Sequence, residues 1–242
     1  VTGIYAGGVF TISGSPTVAG TFNYTVTTVG PCEEVTAEGT IIVQANSTLN
    51  RTSLAPTAAQ IVCVNNSIAL ITYRVGGGGD GANVTGLPPG VTTTYNTGSK
   101  ILSIVGTPTT PGVYNYTVTT TGPCINPSLL GSITVTELPT ATINYAGAPF
   151  CMTVNTAQSV TLSGTAAYTG GSYAATPAGL ALNVGSGAIT PSASTPGTYT
   201  VTYTIPASGG CPAIPVQTEV VITALPTASI AYSGAPFCSS DN

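Results

Sequence analysis

The chain repeats itself with a period of about ninety residues, and that period constrains its fold more than any single motif does. GSPTVAGTFNYTVTTVGPC at 14–32 returns as GTPTTPGVYNYTVTTTGPC at 106–124, identical at 13 of 19 positions. ELPTATINYAGAPFC at 137–151 returns as ALPTASIAYSGAPFC at 224–238, identical at 11 of 15. STPGTYTVTYTI at 194–205, followed by SGGC at 208–211, is a third copy of the first block. The chain is therefore a series of similar units rather than one 242-residue globule.

Boundaries fall where Pro recurs after a stretch rich in Val and Ile, at 39–43, 131–135 and 219–223. This divides the sequence into the C-terminal half of repeat one (1–46), repeat two (47–137), repeat three (138–224) and the first strand of repeat four (225–242). We expect a window cut from a longer array. In the alternative, donor-strand polymerisation, the tail would complete repeat one of the next copy. Its 18 residues are fewer than half of those that repeat one lacks.

Composition selects the secondary structure. Thr is abundant, and a β-branched side chain loses χ1 freedom in a helix but sits well on a pleated strand. Hydrophobic residues make up 42% of the chain, enough to bury a core, so low charge here does not mean disorder. Seven acids face three bases, Arg51, Arg74 and Lys100, too few to neutralise a phosphate backbone, and nucleic acid is excluded as a partner. With no His, the commonest general base and metal ligand is missing, and we expect no cofactor and no metal. No apolar run approaches the length of a membrane span, so no membrane insertion is expected in this segment.

Within repeat three, strand signals lie at 140–145, 158–165, 171–175, 180–184, 188–193, 197–205 and 216–223, separated by clusters of Gly, Pro, Ser and Asn. Seven short strands in under a hundred residues predict an all-β fold of tandem immunoglobulin-like β-sandwich repeats. The sixth strand alternates, with Tyr199, Val201 and Tyr203 on one face and Thr198, Thr200 and Thr202 on the other. Tyr114, Tyr116 and Val118 in repeat two, and Phe22, Tyr24 and Val26 in repeat one, match the first set. Phe22, Tyr114 and Tyr199 are thus expected as core aromatics, each two residues after a turn Gly, as in a tyrosine corner.

GLPPGV at 86–91 followed by ILSIVGTPTTPGVYNYTV at 101–118 resembles bacterial immunoglobulin-like and cadherin-like tandem repeats, with their Leu-Pro-x-Gly turn, Gly-Thr-Pro and Gly-x-Tyr strand. TPAGLAL at 176–182 and STPGTYTVTY at 194–203 resemble a sister repeat. The paired Cys and the Thr, Gly and Ser bias are similar to the repeats of large secreted surface adhesins, the gliding-adhesin-like proteins that Bacteroidota export through the type 9 system. The resemblance covers essentially the whole chain and implies an extracellular, cell-surface location.

Six cysteines recur at two positions per repeat: Cys63, Cys151 and Cys238 early, Cys32, Cys124 and Cys211 late. No close Cys-x-x-Cys pair makes a zinc site, and disulfides are expected. The simplest scheme bonds within repeats, Cys63 with Cys124 and Cys151 with Cys211, and leaves Cys32 and Cys238 to partners outside this window. A second bonds Cys63 with Cys211 across neighbouring repeats, since an early Cys near the first turn and a late Cys between the sixth and seventh strands lie at opposite ends of an immunoglobulin-like sandwich. A third joins sequence neighbours, Cys32–Cys63, Cys124–Cys151 and Cys211–Cys238.

Sequons occur at Asn23, Asn46, Asn50, Asn65, Asn83 and Asn115, of which Asn23, Asn83 and Asn115 are the leading candidates for glycosylation. GGGGDGANVTG at 76–86 carries one carboxylate, Asp80, where a calcium loop assembles several, and reads as an inter-strand loop. Glu33, Glu34 and Glu38 read as a solvated cluster. Lys100 is the sole lysine, which excludes a systematic isopeptide. The acids are too few and scattered for paired-carboxylate catalysis, and no enzyme is expected.

The expected function is structural: a segment of an extracellular adhesin or filament, extending from the cell for adhesion or motility. Its partners would be neighbouring repeats of the same chain, lateral copies of itself, and surface glycans or solid surfaces. Two alternatives stand beside it. One is a carbohydrate-binding module presenting Tyr95, Tyr145, Tyr168, Tyr173 or Tyr232 as sugar platforms. The other is a multi-chain sheath built by lateral self-assembly.

Overall fold

Thr-rich alternation produces strands almost everywhere that regular structure forms. The computed structural model describes residues 1–233, 236 and 239. Among them the only helical segments are two short 3₁₀ turns, Ala55–Ala58 and Pro191–Ala193. The chain divides into Val1–Glu137 and Leu138–Asn242.

In the first unit, β1 (Thr2–Ala6) and β2 (Val9–Ser13) form one antiparallel pair, and β3 (Gly20–Thr27) and β4 (Thr36–Val43) another. A full sandwich follows: β5 (Ser47–Arg51), β6 (Ala59–Cys63), β7 (Ile71–Gly77), β8 (Gly81–Thr85), β9 (Val91–Asn96), β10 (Ile101–Gly106), β11 (Gly112–Thr121) and β12 (Ser128–Thr136). One sheet runs β5-β7-β10-β9 and the other β6-β12-β11-β8. All pairings are antiparallel except β6 with β12.

The phase of β11 sets this core. Tyr116 and Val118 are fully buried while Val113 and Asn115 face out. They pack against Ile71, Tyr73 and Val75 of β7 and Leu102 and Ile104 of β10, so the two sheets share one apolar layer. Each fully buried aliphatic side chain there contributes about 1.5–3 kcal/mol. The two phenols meet inside the layer, Tyr73 Oη lying 3.2 Å from Tyr116 Oη. Gly131 stands opposite Tyr116 on β12, and a Cβ at that position would strike the Tyr116 ring. Gly39 holds the same relation to Tyr24.

In the second unit β13 (Thr140–Asn144) pairs with β15 (Thr161–Thr165), and the sheet β14-β18-β17-β16 contains β14 (Phe150–Cys151), β16 (Ser172–Thr176), β17 (Gly197–Ile205) and β18 (Ile214–Thr223). Tyr199, Val201, Tyr203 and Ile205 of β17 point into the core, joined by Ile143, Tyr145, Phe150, Tyr173, Ile189, Val220 and Ile222. The rings of Tyr173 and Tyr203 lie 4.7 Å apart.

Three expectations are corrected. The strands at 180–184 and 188–193 reduce to isolated bridges, Leu182 and Gln158 each opposite Ile189. Asn183 Oδ1 accepts from the Gly185 and Ser186 amides and closes a tight turn, and Pro191 starts a 3₁₀ turn, so neither stretch can extend a ladder. The strand expected at 140–145 is β13, and β14, a two-residue strand with no counterpart among the sequence signals, runs parallel to β18. Phe22 is 45% exposed rather than a core residue, because β3 and β4 hydrogen-bond only to each other and pack under no four-stranded sheet. Residues 225–233 form no strand, and the rest of the expected repeat-four strand, with Cys238, lies outside the described residues apart from 236 and 239.

Candidate functional site

The recurrent chemistry of this chain is its cysteines, and strand register places them. Cys63 ends β6 opposite Thr136, the last residue of β12. Cys151 ends β14 opposite Thr223, the last residue of β18. The surroundings match bond for bond. The Val64 amide donates to Thr136 O at 2.9 Å and the Met152 amide to Thr223 O at 3.0 Å. Asn66 N donates to Cys63 O and Val154 N to Cys151 O, each at 3.0 Å. The Thr136 hydroxyl donates to Val62 O and the Thr223 hydroxyl to Phe150 O. Early cysteines therefore stand where a repeat's last strand ends.

Late cysteines occupy the opposite end of that strand. Cys124 lies in the connection between β11 and β12, and Cys211 in that between β17 and β18. The nine residues of β12 and ten of β18 separate early from late positions by about 30 Å at 3.3 Å per residue. A disulfide needs Cα atoms within about 7 Å.

Cys63 and Cys211 are disulfide-bonded. Cys32, Cys124 and Cys151 carry free thiols. The expected within-repeat bonds Cys63–Cys124 and Cys151–Cys211 are thus not formed, and the strand length is the reason. Of the sequence-neighbour bonds, Cys32–Cys63 and Cys124–Cys151 are not formed either, and Cys238 lies outside the described residues. The Cys124 thiol approaches Gln44 O at 3.6 Å. At Cys151 the Thr153 hydroxyl donates to Sγ at 3.2 Å, and this bond first of all lowers the thiol pKa, because it favours the thiolate.

The tyrosines expected as sugar platforms mostly serve the core. Tyr145 and Tyr173 are buried, and the Tyr145 hydroxyl donates to Gly187 O at 2.6 Å. Burial raises the pKa of both phenols, as it does at Tyr116. Tyr95 and Tyr168 are half-buried and pack against their cores, while Tyr232 is exposed. Of the expected core aromatics, Tyr199 is 3% exposed and Tyr114 half-buried. Tyr114 Oη donates to Thr110 O at 3.2 Å and Tyr199 Oη to Thr195 O at 2.6 Å, the two tyrosine corners.

Asn23, Asn83 and Asn115 are all exposed on strands, and Asn23 Oδ1 accepts from the Thr40 hydroxyl at 2.9 Å. The Gly-rich run forms the β7–β8 turn, where the Asp80 carboxylate accepts from the Thr121 hydroxyl and Lys100 Nζ donates to Gly79 O. Among the described residues no three His, Cys, Asp or Glu side chains converge as metal ligands, and no helix is long and apolar enough to cross a membrane.

A cleft of about 480 Å³ opens between the two hairpins of 1–46, lined by Phe10, Ile12, Val18, Phe22, Tyr24 and Ile41 among others. Sequence reasoning did not anticipate it.

No protein-family model and no curated protein matches the chain. Among solved structures it is similar to a three-immunoglobulin-domain structure of titin carrying Glu-to-Ala mutations, at 14% identity, covering 85% of this chain and 75% of that one with a TM-score of 0.55. An I-band fragment of titin covering the same domains gives 13% identity, the same coverages and a TM-score of 0.54. The N-terminal eight immunoglobulin domains of the Down syndrome cell adhesion molecule give 11% identity, 84% and 28% coverage and a TM-score of 0.48. At such identities the likeness to the two titin structures shows the fold, a tandem of immunoglobulin-like β-sandwich repeats.

Proposed function

We propose that this chain is a structural stretch of an extracellular repetitive adhesin or filament of bacterial origin, with repeat boundaries near 46, 137 and 224, and no catalysis of its own. The observation that carries the reading is repetition of a self-sufficient core. Repeat two and repeat three each bury their own apolar layer around an equivalent alternating strand, β11 or β17. Glu137-Leu138-Pro139 and Ala224-Leu225-Pro226 recur as joints, and Pro in a short connection restricts swing. Reach then scales with repeat number. Ten charged residues leave a surface whose interactions are little changed by salt, as suits a fibre outside the cell.

Two measurements test this. Small-angle scattering of the chain is expected to give an elongated particle, and immunogold labelling of intact source cells is expected to decorate surface fibres. A single compact globule, or label confined to the cytosol, overturns it. The carbohydrate-binding alternative loses support, since Tyr145 and Tyr173 are buried.

A further inference from the structure

Three observations made within individual units converge on the joints between repeats. First, a repeat's early cysteine stands beside its last residue before the joint, as Cys63 does beside Thr136 and Cys151 beside Thr223. Second, a late cysteine lies at the far end of the last strand, on the side from which the chain arrives, so early and late cysteines of one repeat cannot meet. Third, the free Cys124 thiol reports what a late cysteine faces. It lies against Gln44 O. Val43 pairs with Gly20 as Val135 pairs with Gly112, so Gln44 occupies in repeat one the place that Thr136 occupies in repeat two. Thr136 is the residue beside which an early cysteine sits. Repeat one as present in this chain has no early cysteine, and Cys124 is a free thiol at that place.

We propose that the early cysteine of each repeat is bonded to the late cysteine of the following repeat, Cys63 to Cys211 within this chain, and that Cys124 and Cys151 are attachment sites for flanking cysteine-bearing immunoglobulin-like repeats. Each joint is then closed twice, by the backbone and by a disulfide, and the array resists bending and pulling at the place where a tandem is otherwise weakest. Among the described residues Cys63 and Cys211 are bonded, while Cys32, Cys124 and Cys151 carry the free thiols that the proposal assigns to partners in further repeats. Each bond forms as two thiols lose two protons and two electrons to a disulfide oxidant, such as glutathione disulfide or an exported thiol oxidoreductase, which leaves as two thiols.

The inference rests on the reading of the chain as a repeat array, and its test is separate from that reading. The full chain, oxidised with glutathione disulfide, is alkylated with N-ethylmaleimide and digested without reductant. The monomer fraction is expected to yield a Cys63–Cys211 cross-linked peptide and alkylated Cys124 and Cys151. A Cys63–Cys124 or Cys151–Cys211 peptide, or alkylated Cys63, overturns the pairing. At high protein concentration, covalent oligomers are expected to join early to late cysteines of two copies, Cys151 to Cys32 or Cys124. Early–early links in comparable yield, or an absence of oligomers, overturn the attachment role. The double variant Cys63→Ser with Cys211→Ser is expected to keep its β circular dichroism, since each unit has its own core, and to lose only the cross-linked peptide. An elongated particle without that peptide would leave the array standing and remove the joint bond alone.

Discussion

Tyr199 reaches back four residues to Thr195, its hydroxyl donating to the Thr195 carbonyl at 2.6 Å while its ring lies in the core. The bond ties the turn before β17 to the strand itself, so ring burial and turn geometry are one feature. Tyr199→Phe keeps the ring and strands the carbonyl, and is expected to destabilise the second unit by about 0.5–1.5 kcal/mol. Tyr199→Ala also empties a core site and is expected to cost about 3–5 kcal/mol. Urea unfolding followed by tyrosine fluorescence checks both. Tyr114, half-exposed and with a longer bond of 3.2 Å, is expected to lose less in each substitution.

Gly131→Ala is expected to destabilise repeat two by about 1–3 kcal/mol, because the added methyl strikes the ring of Tyr116, which is packed on every side and has nowhere to move. Gly30→Ala is the control. A Cβ there meets nothing within 4 Å, and its effect should stay within about 0.5 kcal/mol. Comparing denaturation midpoints at equal slope separates the two.

Much of this fold was legible in the sequence, because alternation at a period of two is a local signal and a buried face is a strong constraint on register. The phases of β11 and β17 follow from Tyr116, Val118, Val201 and Tyr203 alone. What was not legible depends on distant partners. β14 spans two residues and exists only because β18 offers an edge. Phe22 carries the same local signal as Tyr199, and its exposure reflects the missing opposite sheet rather than its own strand. For the cysteines the sequence leaves alternatives open: spacing suggests a bond within a repeat, whereas strand direction, also readable from the strand order, puts the two thiols of a repeat at opposite ends.

The buried phenols predict an alkaline limit. Tyr116 and Tyr145 have pKa values raised mainly by burial, so above the ordinary tyrosine value of about 10 the unfolded chain gives up these protons while the folded chain keeps them. The unfolded state then binds fewer protons, and stability, undiminished below about pH 10, falls as pH rises beyond it, by up to about 1.4 kcal/mol per pH unit for each such tyrosine. Phenolate absorbance, followed together with circular dichroism, should show the Tyr116 and Tyr145 protons leaving only with unfolding. Ionisation of Tyr116 and Tyr145 with circular dichroism unchanged would contradict this.

Cys151 provides the sharpest chemical test. The Thr153 hydroxyl, donating to Sγ at 3.2 Å, stabilises the thiolate and lowers the thiol pKa, so at neutral pH a larger fraction is ionised than in an ordinary cysteine. The rate of alkylation by iodoacetamide should rise with pH through this depressed value and level off above it. Thr153→Val removes the donor while keeping the shape of the side chain, and should move the midpoint back up. At Cys151 the hydroxyl thereby favours thiolate attack on a disulfide, the step by which a neighbouring repeat is joined in the proposed array. Mass-spectrometric alkylation rates at Cys151 across pH 6–10, in the parent chain and in the Thr153→Val variant, decide the matter; identical midpoints in the two chains would remove Thr153 as the cause.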